Sequence, residues 1–175
     1  APDPRITSAS YNGETGVLTV NGSDFESKSG ILNDVDVSLL TFTGEGGVTY
    51  TLTDSPDVER DNSTRFTVTL STADKMSIDS LLNKNGVSSD DSTTYNLAAA
   101  DNFIAGVTSG NTADATNAIT VSGIITPEIS SATYNAISGE LVVSAVGLVS
   151  NSGADNDIAV SLITLGGEGG VTYTL

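Results

Sequence analysis

Residues 39–52 read LLTFTGEGGVTYTL, and residues 162–175 read LITLGGEGGVTYTL. Tyr50 and Tyr173 correspond, so the chain repeats itself with a period of about 123 residues, the long internal period that marks a tandem array. Working outward, Pro4 falls on Pro127, Tyr11 on Tyr134, Gly16 on Gly139, Leu18 on Leu141 and Asp34 on Asp157. Between 6–52 and 129–175 roughly 26 of 47 positions are identical, with no gap needed. The chain therefore reads as one complete repeat, 4–126, followed by the N-terminal part of a second copy, 127–175.

Within the repeated stretch, residues 37–43 and 47–53 form a hairpin across Gly44-Glu45-Gly46-Gly47, where glycine supplies the positive φ that a tight turn demands. The same glycines are not a phosphate loop, because no Lys-Ser/Thr follows them and no helix opens there. Upstream, residues 6–11 and 16–22 alternate as strands, with Leu18 and Val20 on one face and Val17, Thr19 and Asn21 on the other. Downstream, 64–70 (TRFTVTL) is a strand with Phe66, Val68 and Leu70 facing in. Ser71 or Thr72 then caps a helix that carries Asp74 near its positive end and Met76, Ile78, Leu81 and Leu82 on one face, with Asn85-Gly86 as its stop. Ala-rich residues 96–105 read as a second short helix, and 118–123 as the last strand. The fold class expected is mostly β: a sandwich of about seven strands with a short helical insertion.

The chain carries 22 Asp and Glu against 6 Lys and Arg, a formal charge of −16. A phosphate backbone or an anionic lipid surface needs clustered cations, so no nucleic-acid partner and no direct membrane insertion are expected, and a peripheral anchor on anionic lipid is disfavoured. With neither cysteine nor histidine, disulfides, zinc sites built on those residues, and Ser-His-Asp or Cys-His catalysis are excluded as well. No apolar run is long enough to span a bilayer. The absence of cysteine suits a bacterial or archaeal exterior, and no signal peptide is visible ahead of Ala1.

The run Pro4-Arg5-Ile6, followed by Gly16-Val17-Leu18-Thr19-Val20-Asn21-Gly22-Ser23-Asp24-Phe25, resembles the opening of the immunoglobulin-like domains called IPT/TIG. The second copy keeps Pro127, Ile129, Gly139, Leu141 and Val143 but has Ala145 and Leu148 where the motif has Gly and Phe. The whole unit, with LNKNG at 82–86 and TYNLAAAD at 94–101, is also similar to repeats of very large bacterial surface and adhesin proteins. The resemblance implies an immunoglobulin-like sandwich, an extracellular or cell-surface location and an array-forming role. Neighbouring repeats, identical subunits and a cell-surface or glycan receptor are the partners it suggests.

Three acidic clusters are candidates for Ca²⁺, which prefers carboxylate and carbonyl oxygens. The first pairs Asp34 and Asp36 with Asp155 and Asp157 of the second copy; Asp34 falls on Asp157, whereas Asp36 falls on Ala159. The second is Asp54, Asp57, Glu59 and Asp61, and the third is Asp3 with Glu128. None has EF-hand or β-roll spacing, and a solvated turn is the plainer reading of each. No pair of carboxylates is placed across a sugar cleft, and aromatic residues are only 5% of the chain without Trp. The expected function is a non-catalytic structural or adhesive repeat of a large surface protein, with a carbohydrate- or ligand-binding module as the alternative. The partial copy is expected to be ordered only through the remainder of a longer array or through another chain that completes it by strand exchange.

Overall fold

The computed structural model describes residues 3–148, 150, 153 and 157–175. The chain forms two compact units, Ala1–Ile125 and Thr126–Leu175.

In the first unit, strands β1 (Arg5–Asn12) and β2 (Val17–Ser23) make a hairpin whose turn relies on Gly16 at φ 71°. A bulge between Ile6 and Ser8 shifts the phase of β1, so that Ile6, Ala9 and Tyr11 all reach the core despite their uneven spacing. A 3₁₀ turn, Val37–Leu39, leads into β3 (Leu40–Thr43), and the GEGG turn carries it to β4 (Thr49–Thr51). Then come β5 (Arg60–Asn62), β6 (Arg65–Thr69), helix α1 (Thr72–Leu81), β7 (Asn96–Ala99) and β8 (Asp114–Ser122).

The eight strands join into one large curled mixed sheet in the order β4-β3-β7-β8-β1-β2-β6-β5. All pairs are antiparallel except β1 with β8, which run parallel with Ala9 opposite Ile119 and Asn12 opposite Ser122. The first unit is thus mostly β with a single α-helix. Its core gathers Tyr11, Leu18, Val20, Phe25, Leu40, Phe42, Phe66, Val68, Leu97 and Ile119 from strands far apart in sequence. Phe25 packs against Phe66 and Phe103 at centroid distances of 5.4 and 6.3 Å.

Helix α1 forms from the predicted cap but ends at Leu81, capped by Leu82, short of the expected stop at Asn85-Gly86, and Met76 falls outside its buried face. Ser71 Oγ accepts from Asp74 N at 3.2 Å as the N-cap, and Ile78 and Leu81 are buried while Met76 is exposed. The expected helix over 96–105 is corrected: Asn96–Ala99 is strand β7 and turns follow it. Alanine favours helix only as a local tendency. Here Leu97 and Ala99 alternate inward, and pairing with β3 and β8 on both edges overrides it.

The second unit holds two hairpins, β9 (Glu128–Asn135) with β10 (Glu140–Val146), and β11 (Thr164–Gly166) with β12 (Thr172–Thr174). Each copies its counterpart residue by residue. Ile129 faces Ala145 across the same bulge at which Ile6 faces Gly22. Leu165 faces Tyr173 as Phe42 faces Tyr50, and Leu175 N donates to Ile163 O at 3.1 Å as Leu52 N donates to Leu40 O at 3.1 Å. Gly139 and Gly169 hold φ 74° and 65° where Gly16 and Gly46 hold 71° and 68°.

Candidate functional site

The acidic residues near the start of the repeat are placed by backbone amides. Asp34 is buried. Its Oδ1 accepts from Lys28 N at 2.6 Å and its Oδ2 from Arg60 N at 3.2 Å, so it ties two loops together. Burial works against its charge, but those amides, Glu59 and the Arg60 guanidinium outweigh it and hold the carboxyl below the ordinary range. Burial and the neighbouring Asp34 push the Glu59 carboxyl up, and Glu59 Oε1 accepts from Asn33 N at 3.3 Å. Asp57 Oδ1 accepts from Val37 N at 3.0 Å. The two clusters that are separate in sequence therefore meet in space.

Asp36 does a different job from Asp34. It caps the Val37–Leu39 turn, its Oδ1 accepting from Ser38 N at 3.1 Å. Asp157 lies in a bend on the surface of the second unit, and Asp155 lies outside the described residues. Of the third cluster, Asp3 approaches Arg5 at 3.9 Å in the first unit, and Glu128 opens β9 in the second. Among the described residues, no group of three or more Asp or Glu is gathered as a metal site. A cation at Asp34 would have to take the place of amide donors already seated on both oxygens.

The carboxylate with the most partners is one that sequence reading assigns only to a helix terminus. Asp74 is fully buried. Its Oδ1 accepts from Tyr50 Oη at 2.8 Å, Thr53 N at 3.0 Å and Thr53 Oγ1 at 3.2 Å. Its Oδ2 accepts from Asp54 N, Ser55 N and Ser55 Oγ at 3.1, 2.7 and 2.6 Å. Burial opposes ionisation, but the bonds from Ser55, Thr53, Tyr50 and Asp54 prevail and hold the pKa far below the usual carboxylate value. Asp74 thereby pins the helix start to the end of the GEGG hairpin. Its partners were unreadable beforehand because nothing in the local sequence links 50–55 to 74.

The other candidate is a surface. Ile6, Tyr11 and Leu52 of the first unit are 7%, 1% and 2% exposed, whereas their counterparts Ile129, Tyr134 and Leu175 are 62%, 63% and 47% exposed. An apolar groove of about 840 Å³ runs over the second unit, lined by Ile129, Leu141, Val143, Leu148, Ile163 and Leu175 among others. Their first-unit equivalents, Ile6, Leu18, Val20, Phe25, Leu40 and Leu52, are all core. A smaller recess of about 310 Å³ lies along the second GEGG turn, between Leu165 and Tyr173. In the first unit the free edges of β1, β2 and β3 are taken by β8, β6 and β7. Among the described residues, the equivalent edges of β9, β10 and β11 pair with no strand.

Comparison with protein-family models, with curated proteins and with solved structures finds no match to this chain.

Proposed function

We propose that this chain is a non-catalytic structural repeat of a large extracellular surface protein, an immunoglobulin-like sandwich of the IPT/TIG kind acting as a spacer or assembly module. The observation that carries the reading is the residue-by-residue reproduction of both hairpins, with the same bulge, the same turn glycines and the same pairing about 123 residues on. Selection that keeps register and turn geometry across copies favours stacked modules over a single reactive centre. The eight-stranded sheet of the first unit, curled round one core, supports the reading of a self-contained repeat unit.

Concatenating two, three and four copies of residues 4–126 tests the reading. Small-angle scattering is expected to give a maximum dimension that grows linearly with copy number, and a glycan array probed with the chain is expected to give no saturable signal. Compaction with increasing copy number, or saturable sugar binding, would favour a ligand-binding module instead.

A further inference from the structure

We infer that the apolar groove of the second unit is a docking site for a partner polypeptide carrying the pattern of residues 53–125, laid along β10 in the register that β6 keeps on β2. The inference deepens the tandem-repeat reading and rests on it. The first unit displays the complete interface that the second unit displays from one side only. There, Val68 sits opposite Leu18 and Phe66 opposite Val20, so the incoming strand places its valine opposite Leu141 and its phenylalanine opposite Val143. Strands equivalent to β8 and β7 take the edges of β9 and β11.

The smaller recess fits the same occupant. In the first unit a Cβ on Gly44 would stand 2.2 Å from Leu81 O, so the end of helix α1 rests directly on this turn. Asn83 Nδ2 and Asp91 N both donate to Glu45, at 3.0 and 3.2 Å. In the second unit a Cβ on the equivalent Gly167 would meet, among the described residues, only Val171 O at 4.0 Å, and Glu168 follows it. The helix end of the partner would fill that space and supply those donors.

Charge points the same way. The second unit contains no Lys or Arg, whereas residues 53–125 hold four of the six in the chain: Arg60, Arg65, Lys75 and Lys84. Arg60 donates to Phe25 O and lies against Asp34, whose counterparts are Leu148 and Asp157. A second copy docked face to face would instead set one cation-free acidic surface against another.

The test adds a polypeptide of residues 53–125 to the 175-residue chain and follows hydrogen exchange with light scattering. A one-to-one complex is expected, in which amides of β9, β10 and β11 exchange at least about tenfold more slowly. A probe with Phe66→Ser and Val68→Ser is expected to bind about tenfold more weakly or worse. Because the probe alone can aggregate, a second arm joins residues 53–125 directly after Leu175. In that chain, protection is expected to reach the level of the first unit, and Gly167→Ala is expected to lower the melting temperature, although it is silent in the 175-residue chain. Unchanged exchange in the joined chain overturns the inference. So does full protection of the 175-residue chain alone, whether as a monomer or as a dimer. Saturable glycan binding would remove the structural-module reading while leaving these protection results intact, so the two failures are distinguishable.

Discussion

Six donors converge on the two oxygens of Asp74, and none of them is supplied by the helix that carries it. Asp74→Asn keeps the shape but turns one acceptor into a donor facing other donors. Denaturant melts should show a loss of about 3 kcal/mol or more. The stabilisation from Asp74 is full above the ordinary carboxylate pKa, near 4, and is lost as pH falls from there through its depressed folded-state value. Acid melts should therefore steepen below about pH 4 in the native chain and flatten in the Asn variant. Tyr11 behaves oppositely. Burial, and then the bond its Oη donates to Asp79 at 2.7 Å, raise its phenol pKa, so its contribution is full below about 10 and is lost as pH rises through the raised value. An absorbance titration should show lagging tyrosines, one of which is lost in Tyr11→Phe, while Tyr95, which burial also pushes up, remains. Sequence reading places Tyr11 in a strand and Tyr50 in the hairpin. It could not show their hydroxyl partners at 79 and 74, because a phenol's acceptor is chosen by the fold and not by neighbouring residues.

At the scale of elements, legibility followed how local the determining forces are. Helix α1 carries its own cap and apolar face, and the GEGG hairpin carries its own glycines, so both could be read directly. Strand β7 could not, because its alanines take their state from β3 and β8. Strand β5, which overlaps the acidic cluster of Asp54, Asp57, Glu59 and Asp61, is not legible for a similar reason: Arg60–Asn62 pairs only with β6 at the sheet's end. Differences between the copies also make sense locally. A Cβ on Gly22 would meet the Arg5 backbone oxygen at 2.1 Å and the Phe25 ring at 2.4 Å; the second copy, with Ala145 there, has the smaller Leu148 in place of the ring, which removes the second of these contacts. Phe66→Ala, which removes a fully buried ring packed on Phe25, should cost about 3–5 kcal/mol in a denaturant melt. Gly44→Ala should also destabilise the first unit, since the clash is with the backbone of α1 and cannot be relieved by a rotamer change.

For the whole molecule, the repeat was the most legible feature, since identity at fixed spacing requires no knowledge of packing. The single curled sheet was not, because the β1–β8 pairing that joins its two halves sets Ala9 opposite Ile119, far apart in sequence and with no local signal. The parallel pairing of β1 with β8 has a mechanical consequence. The first strand enters at Arg5 and the last leaves at Ser122, at opposite ends of the ladder and roughly 23 Å apart along it. Tension applied through the two ends of the repeat runs along both strands in opposite directions. It loads the bonds from Ala9–Ile119 to Asn12–Ser122 in shear, all at once, whereas tension between Arg5 and Ser23, which face each other across β1 and β2, peels that ladder one pair at a time. Single-molecule pulling on the first unit should therefore give a markedly higher rupture force through residues 5 and 122 than through residues 5 and 23. A chain of such units would yield least in the direction in which it is strung.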